Sequence, residues 1–403
     1  MVWGEHLNDS PPPQRIIPIT RPFFGIEEQE AVIKPLLSGW VVQGPYVKEF
    51  EGKFSKYIET NYSVATTSCT TALHMAVVAM GLAPGDEVIV PAFTWVSTAN
   101  VVEYMGAKPI FCDVSVKTYN INTELIEEKI TPKTVGIIPV HLFGLCADMD
   151  PIMALAEKYG LWVIEDAACG LGATYNGQHS GTFGDMGCFS FHPRKSITVG
   201  EGGMITTDSE EISNRLESLR DHGASKTDLR RHSENQSYLL SEYSMLGYNY
   251  RMTDMQGAIG SVQMDRLDFI LSERRAQADK YNQAFHHLDS ISPPFVPNGL
   301  EHGYQAYVTL YKGGEPYLED VATLHGKRNE LMKRLENDGI STRQGTHAAA
   351  LTSYYSQKYS ITKDDFPNSY IAEQLTLSLP IFAGMSASDQ DYVIHRFMLH
   401  LGS

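Results

Sequence analysis

From Tyr62 onward, short apolar runs alternate with longer stretches whose apolar residues recur every three or four positions. The runs Ser63–Thr67, Glu87–Val90, Pro109–Asp113, Val135–Val140 and Leu161–Ile164 predict buried strands. Between them, Thr70–Leu82, Ala99–Met105, Thr123–Ile130 and Met149–Tyr159 predict helices. This alternation implies βαβ units, and so an α/β fold with a mostly parallel sheet sandwiched by helices. Ligands in such sheets bind beyond the carboxyl ends of the strands. Glu27–Leu37 and Val47–Tyr57 predict two earlier helices. Two later apolar runs, Cys188–Phe191 and Met204–Thr206, predict strands joined by a tight loop. Met252–Phe285 reads as one long helix, since Ala258, Ile259, Val262, Leu267 and Ile270 keep helical spacing. Beyond Pro293-Pro294 the pattern is less regular, with a strand at Ala306–Leu310, a helix at Lys327–Asp338 and a last helix from Ser388. The chain is expected to divide into a flexible, proline-containing leader (1–15), a large α/β domain (16–288) and a smaller C-terminal α+β domain (289–403).

The composition narrows the function. With 403 residues, 42% apolar and 20% charged, the chain is long enough for two well-buried units. A net charge of -16 disfavours nucleic acid and anionic membrane surfaces as partners. No run has the length and apolarity to cross a bilayer, and no secretion pattern opens the sequence, which predicts a cytoplasmic protein. The five cysteines are scattered, with no C-x-x-C pair, and the 14 histidines lack metal-ligand spacing; reduced thiols and no metal site are expected.

Lys195 lies just after the run Cys188–Phe191, among small and apolar residues. Desolvation there lowers the preference of an amine for charge and makes it a usable nucleophile. Asp166 closes the apolar run Leu161–Ile164, where a carboxylate needs a cation: a pyridinium N–H or an arginine. Ser68-Cys69-Thr70-Thr71 opens a helix directly after a strand, as a phosphate site or a plain cap. Trp95 presents an aromatic face near another strand end, and Ser190 points opposite to Phe189 and Phe191. Arg343 and His347 offer donors from the second domain, and the polar stretch His222–Ser244 is a candidate for nucleotide contact. The glycines at 181, 184 and 187 lack G-x-G-x-x-G spacing and precede a strand, which excludes a dinucleotide fingerprint.

Taken together, the segments TSCTTALHMA, PAFTWVSTAN, GIIPVHLFG, VIEDAACGLGA, FGDMGCFSFHPRKSITVGEGGMITT and LGYNYRMTDMQGAIG resemble the DegT/DnrJ/StrS family of sugar aminotransferases. The resemblance spans Ile16 to Phe382 and implies a fold type I enzyme dependent on pyridoxal 5'-phosphate, with pyridoxamine phosphate as its amino-carrying form. It makes Lys195 the Schiff-base lysine and Asp166 the partner of the pyridine nitrogen. Trp95 is implied to stack on the ring, and Thr70, Thr71 and Ser190 to hold the phosphate. Asn249, with Arg251 as the alternative, is implied to reach that phosphate across a homodimer interface. Cys169 departs from the family, which places His, Gln or Glu beside the cofactor there. His192 is a candidate substrate contact. Dehydratases of the same family carry histidine in place of the lysine. The implied partners are an amino-acid donor, L-glutamate first, and a nucleotide-linked keto sugar, an NDP-4-keto-6-deoxyhexose first. A sugar dehydratase and a non-catalytic binding protein are the alternatives.

Overall fold

Val64, Cys188 and Ile205 point to one side of the central sheet, and their neighbours Ala65, Phe189 and Met204 to the other. That alternation fixes the layers. The computed structural model describes residues 15–225, 242–312 and 320–402. All of the leader except Arg15, and most of the stretch His222–Ser244, lie outside the described residues.

The main sheet contains β1 (Tyr62–Thr66), β2 (Glu87–Pro91), β3 (Lys108–Cys112), β4 (Thr134–Ile137), β5 (Trp162–Asp166), β8 (Met186–Ser190) and β9 (Gly203–Thr207), in the order β1-β9-β8-β5-β4-β2-β3. β9 pairs antiparallel with both β1 and β8, and the remaining pairs are parallel. The carboxyl ends of β1, β2, β4, β5 and β8 therefore share one edge. Two short strands, β6 (Thr174–Tyr175) and β7 (Gln178–His179), join β11 (Leu300–Glu301) in an accessory sheet. A third sheet holds β10 (Ile291–Ser292), β12 (Tyr307–Tyr311) and β13 (Thr376–Leu379).

Helix Cys69–Ala79 covers one face of the main sheet, and it is apolar on most sides because strands and other helices enclose it. On the opposite face, Phe50 and Phe54 of helix Pro45–Ile58 meet Phe189 and Phe191, with the Phe54–Phe189 rings 4.9 Å apart. Removing the Phe54 ring costs about 3–5 kcal/mol. A third apolar cluster joins Leu331, Leu335, Leu377, Leu379 and Phe397 to Tyr281, Phe285 and Ile17. The smaller unit proposed for 289–403 thus draws core residues from outside its own segment.

Three segments differ from the sequence reading. Met252–Phe285 forms two helices, Asp254–Asp265 and Leu267–Phe285, that meet at Arg266. The Arg266 guanidinium bonds Glu28 and lies over the Phe23 ring, a tertiary pull that helical periodicity does not encode. Thr123–Ile130 forms two single turns of 3-10 helix, begun by the Asn122 cap on the Glu124 amide and stopped ahead of Pro132. The connection from β8 to β9 is long, and it carries Lys195.

Candidate active site

β5 ends at Asp166, whose neighbour Glu165 points to the other face by strand alternation. The two carboxylates have different tasks. Glu165 is fully buried and accepts hydrogen bonds from the Gly181, Phe183 and Gly184 amides at 2.7–2.9 Å. It also meets His141 Nε2 at 2.7 Å. The Ala147 amide donates to His141 Nδ1, so Nε2 carries the hydrogen toward Glu165. Glu165 therefore anchors the turn that leads into β8.

Asp166 faces the site. It is 3% exposed and accepts two hydrogen bonds, from the Thr98 hydroxyl at 2.7 Å and the Ala168 amide at 3.2 Å. Among the described residues no arginine, lysine or histidine forms an ion pair with it. Burial pushes its carboxyl above the usual range; Thr98, Ala168, Lys195 and His141 pull the other way without reversing the shift. A buried carboxylate left in that state lacks a cationic N–H.

Lys195 sits in the loop after β8, where its amide donates to the His192 carbonyl at 2.8 Å. Its Nζ donates to Cys169 Sγ at 3.1 Å. Desolvation by burial acts to lower its pKa, but Cys169, Cys69 and Asp166 outweigh it, so the net shift is upward. This corrects the expectation of an amine made neutral by its apolar surroundings: sulfur and carboxylate neighbours decide the sign. As a residue Lys195 is half-buried.

The helix opening divides its threonines. Thr71 completes a capping box with Ser68, its hydroxyl accepting from the Ser68 amide at 3.0 Å. The Thr70 hydroxyl has no partner among the described residues and stands beside the free amides of the first turn. Gly203, at the start of β9, allows this turn to approach closely: a Cβ there would lie 2.4 Å from the Ser68 carbonyl oxygen. Ser190 ends β8, and its Oγ meets the His192 amide at 3.4 Å.

Trp95 follows β2 with 58% of its surface exposed, and its ring centroid lies 5.9 Å from that of His347. The Thr94 amide donates to the His347 carbonyl at 3.1 Å, which ties segment 343–347 to this edge of the sheet. His347 Nδ1 is 3.7 Å from Glu373. Arg343 pairs through its backbone with Ser378 of β13, and its side chain is exposed. His192 is half-buried, with its Nδ1 accepting from the Arg194 amide at 3.2 Å. Desolvation lowers its pKa, aided by Lys195 and Arg194 and opposed by Glu201.

No hydrogen bond or ion pair links Asn249 or Arg251 to this group among the described residues. Asn249 bridges Asp221 through its backbone and exposes its side chain, whereas Arg251 forms an ion pair with Asp221. Of the two residues weighed for the cross-interface contact, Asn249 is the one left free.

Two contributors escaped the sequence reading. Thr98 sits in PAFTWVSTAN three residues after Trp95, and only the folded chain shows its hydroxyl on Asp166. Gln305, from the segment before β12, donates to the Arg194 carbonyl at 2.7 Å and steadies the lysine loop; no local pattern marks it.

Three features match the needs of pyridoxal phosphate. Asp166 has no ion-pair partner among the described residues, a place a ring N–H can take, a helix opens with free amides beside Thr70, and a lysine amine lies close enough to Asp166 and Cys69 for both to raise its pKa. Fold and site together define a fold type I enzyme of the pyridoxal-phosphate class. The DegT/DnrJ/EryC1/StrS aminotransferase family matches residues 24–398, and the chain belongs to that family. It is a pyridoxal-phosphate-dependent aminotransferase.

The spore coat polysaccharide biosynthesis protein SpsC of Bacillus subtilis is 37% identical over 379 residues, 94% of this chain and 95% of that protein. An uncharacterized protein of Methanocaldococcus jannaschii is 38% identical over 376 residues, 93% of this chain and 95% of its own. Among solved structures, the chain resembles Spr1654 of Streptococcus pneumoniae, described as a candidate sugar aminotransferase and solved in PLP and PMP forms. The TM-score is 0.87 at 29% identity, covering 96% of this chain and 98% of that one. The aminotransferase TlmJ of Streptoalloteichus hindustanus matches with a TM-score of 0.86 at 28% identity, over 96% of this chain and 99% of its own.

Proposed function

We propose that the protein is a sugar aminotransferase that moves an amino group from L-glutamate to a nucleotide-linked keto sugar, an NDP-4-keto-6-deoxyhexose. The observation that carries this reading is the Lys195 amine on the same sheet edge as the buried Asp166, which has no ion-pair partner among the described residues. The description of Spr1654 and the polysaccharide role in SpsC's name support the sugar acceptor.

When bound, pyridoxal phosphate supplies an aldehyde that carries the amino group and a ring that draws electrons from the reacting carbon. In this reading Lys195 holds the resting cofactor and then moves a proton at the substrate carbon as general base and acid. Asp166, oriented by Thr98 and Ala168, keeps the ring nitrogen protonated. Trp95 covers one ring face, and its exposed indole waits for a flat partner. Thr70, Ser190 and the first-turn amides of helix Cys69–Ala79 take the phosphate. Arg343 and His347 border the opening and receive the donor carboxylate or the nucleotide phosphates. Asn249, exposed and unengaged, completes the phosphate site of a partner subunit in a homodimer. His222–Ser244 remains the proposed nucleotide-contact segment, and a cytoplasmic location suits nucleotide-linked substrates.

L-[15N]glutamate and an NDP-4-keto-6-deoxyhexose, incubated with the enzyme, test the reading. The expected product is a nucleotide-linked amino sugar carrying the label. Labelled cofactor that never passes nitrogen to any nucleotide sugar, while free keto acids accept it, would refute the acceptor assignment.

A further inference from the structure

We propose that Cys169 is a peroxide-reactive modification site whose oxidised sulfur bonds to Lys195, so that the enzyme is switched off reversibly. The proposal rests on the reading that Lys195 holds the cofactor.

The geometry isolates this thiol from the others. Cys69, Cys112, Cys146 and Cys188 are buried, and Cys169 alone among the cysteines is partly exposed. Burial pushes the Cys112 thiol up to about 12 and the Cys69 and Cys188 thiols well above their usual value. Such thiols are inert toward oxidants, whereas an accessible sulfur facing a cation is the kind that reacts. Cys169 Sγ faces the Lys195 ammonium at 3.1 Å.

Both partners are held in place. The turn that carries Cys169 is closed by the Gly170 amide on the Ala167 carbonyl at 2.8 Å and by the Ala168 amide on Asp166. The Lys195 loop is closed by its own amide on His192 and by Gln305 on Arg194. The flexible stem of the lysine closes the remaining gap between nitrogen and sulfur.

The chemistry balances with hydrogen peroxide as oxidant. The Cys169 sulfur, as thiolate, attacks one peroxide oxygen and the O–O bond breaks; the departing hydroxide takes a proton from the Lys195 ammonium and leaves as water, giving a sulfenic acid beside a neutral amine. The neutral Lys195 amine then attacks that sulfur. An S–N bond forms, the S–O bond breaks, and the hydroxyl leaves as water with a proton from the amine. Overall, thiol, amine and one peroxide give the S–N bridge and two waters. A dithiol reverses the change: one thiol takes the sulfur as a mixed disulfide and frees the amine, and the second releases Cys169. Transfer itself requires no thiol, so oxidation at one residue disables the amine beside it. Bound cofactor occupies Lys195 and protects the pair.

The test uses the 403-residue chain, loaded or stripped of cofactor, treated with hydrogen peroxide and mapped by peptide mass spectrometry. Stripped protein is expected to give a linked pair of peptides containing Cys169 and Lys195, lighter by two hydrogens. It should then fail to take up pyridoxal phosphate by absorbance, and dithiothreitol should restore both the separate peptides and the uptake. Loaded protein should give much less of the link. Cys169→Ser, compared with its own untreated sample, should keep its uptake after peroxide. Cys169 recovered as sulfinic acid with Lys195 unmodified would overturn the proposal, as would equal loss of uptake in Cys169→Ser. Untreated protein that never holds the cofactor on Lys195 would refute the functional reading and leave the bridge measurable.

Discussion

Replacing Asp166 by Asn should make the cofactor-free protein more stable at alkaline pH while nearly abolishing amino transfer. The Asp166 carboxylate accepts from Thr98 and Ala168, and hydrogen bonds to a charged group contribute about 1.5–3 kcal/mol each. Burial of an ion costs several kcal/mol, and the raised Asp166 pKa shows that burial prevails. Asparagine fits the same contacts without charge. Its Oδ1 accepts from the Ala168 amide, and its Nδ2 donates to the Thr98 oxygen, whose hydrogen turns to the Trp95 carbonyl 3.2 Å away. The sign follows from linkage: with the folded pKa raised, the favourable contribution is fully present below the unfolded value of 3.8 and is lost as pH rises through the folded value. The Asp166→Asn protein has no such loss. The variant's advantage should be near zero at pH 4 and grow toward pH 8, by about 1.4 kcal/mol for every tenfold by which folding tightens the carboxyl's hold on its proton. For a chain of this length that is about 1 °C in Tm per kcal/mol. Thermal melts of stripped protein from pH 4 to 8 read this out. The lost ion pair with the ring nitrogen, about 3–5 kcal/mol, should slow the loaded enzyme by roughly 10²–10⁴-fold. A variant less stable than its parent at pH 8, or one that transfers at the parental rate, would refute the assignment of Asp166.

Glu165→Gln should cost about 3–5 kcal/mol of stability, because three amides and His141 all donate to that carboxylate and a Gln –NH₂ must face some of them; equal denaturation midpoints for parent and variant would contradict the anchoring role. Gly203→Ala should weaken cofactor retention, since the added Cβ meets the Ser68 backbone at 2.4–2.5 Å and displaces the turn that presents Thr70. Equilibrium dialysis against pyridoxal phosphate measures it, and an unchanged Kd would remove the phosphate role from that turn.

How much was legible beforehand depended on where each signal resides. Helix Met149–Tyr159 and strands β2, β3 and β5 could be read within a residue or two, because their periodicity and turns are local. The lysine, the strand-end carboxylate and the helix opening were visible because each sits at a junction of elements. Thr98 and Gln305 were not: their partners are distant in sequence, and a threonine inside a helix or a glutamine in a loop is ordinary in itself. The direction in which the Lys195 pKa moves depended on Cys169 and Cys69, which only folding brings alongside it. The long helix misread over 252–285 failed for the same reason, since Arg266 answers to Glu28 and Phe23.

The central claim is that Lys195 bears the cofactor. Loaded enzyme should be reduced with borohydride, digested and sequenced by mass spectrometry, with Lys195→Ala as control. A pyridoxyl group is expected on the peptide containing Lys195 and none in the control; the group on another lysine, or an unmodified Lys195, would contradict the claim.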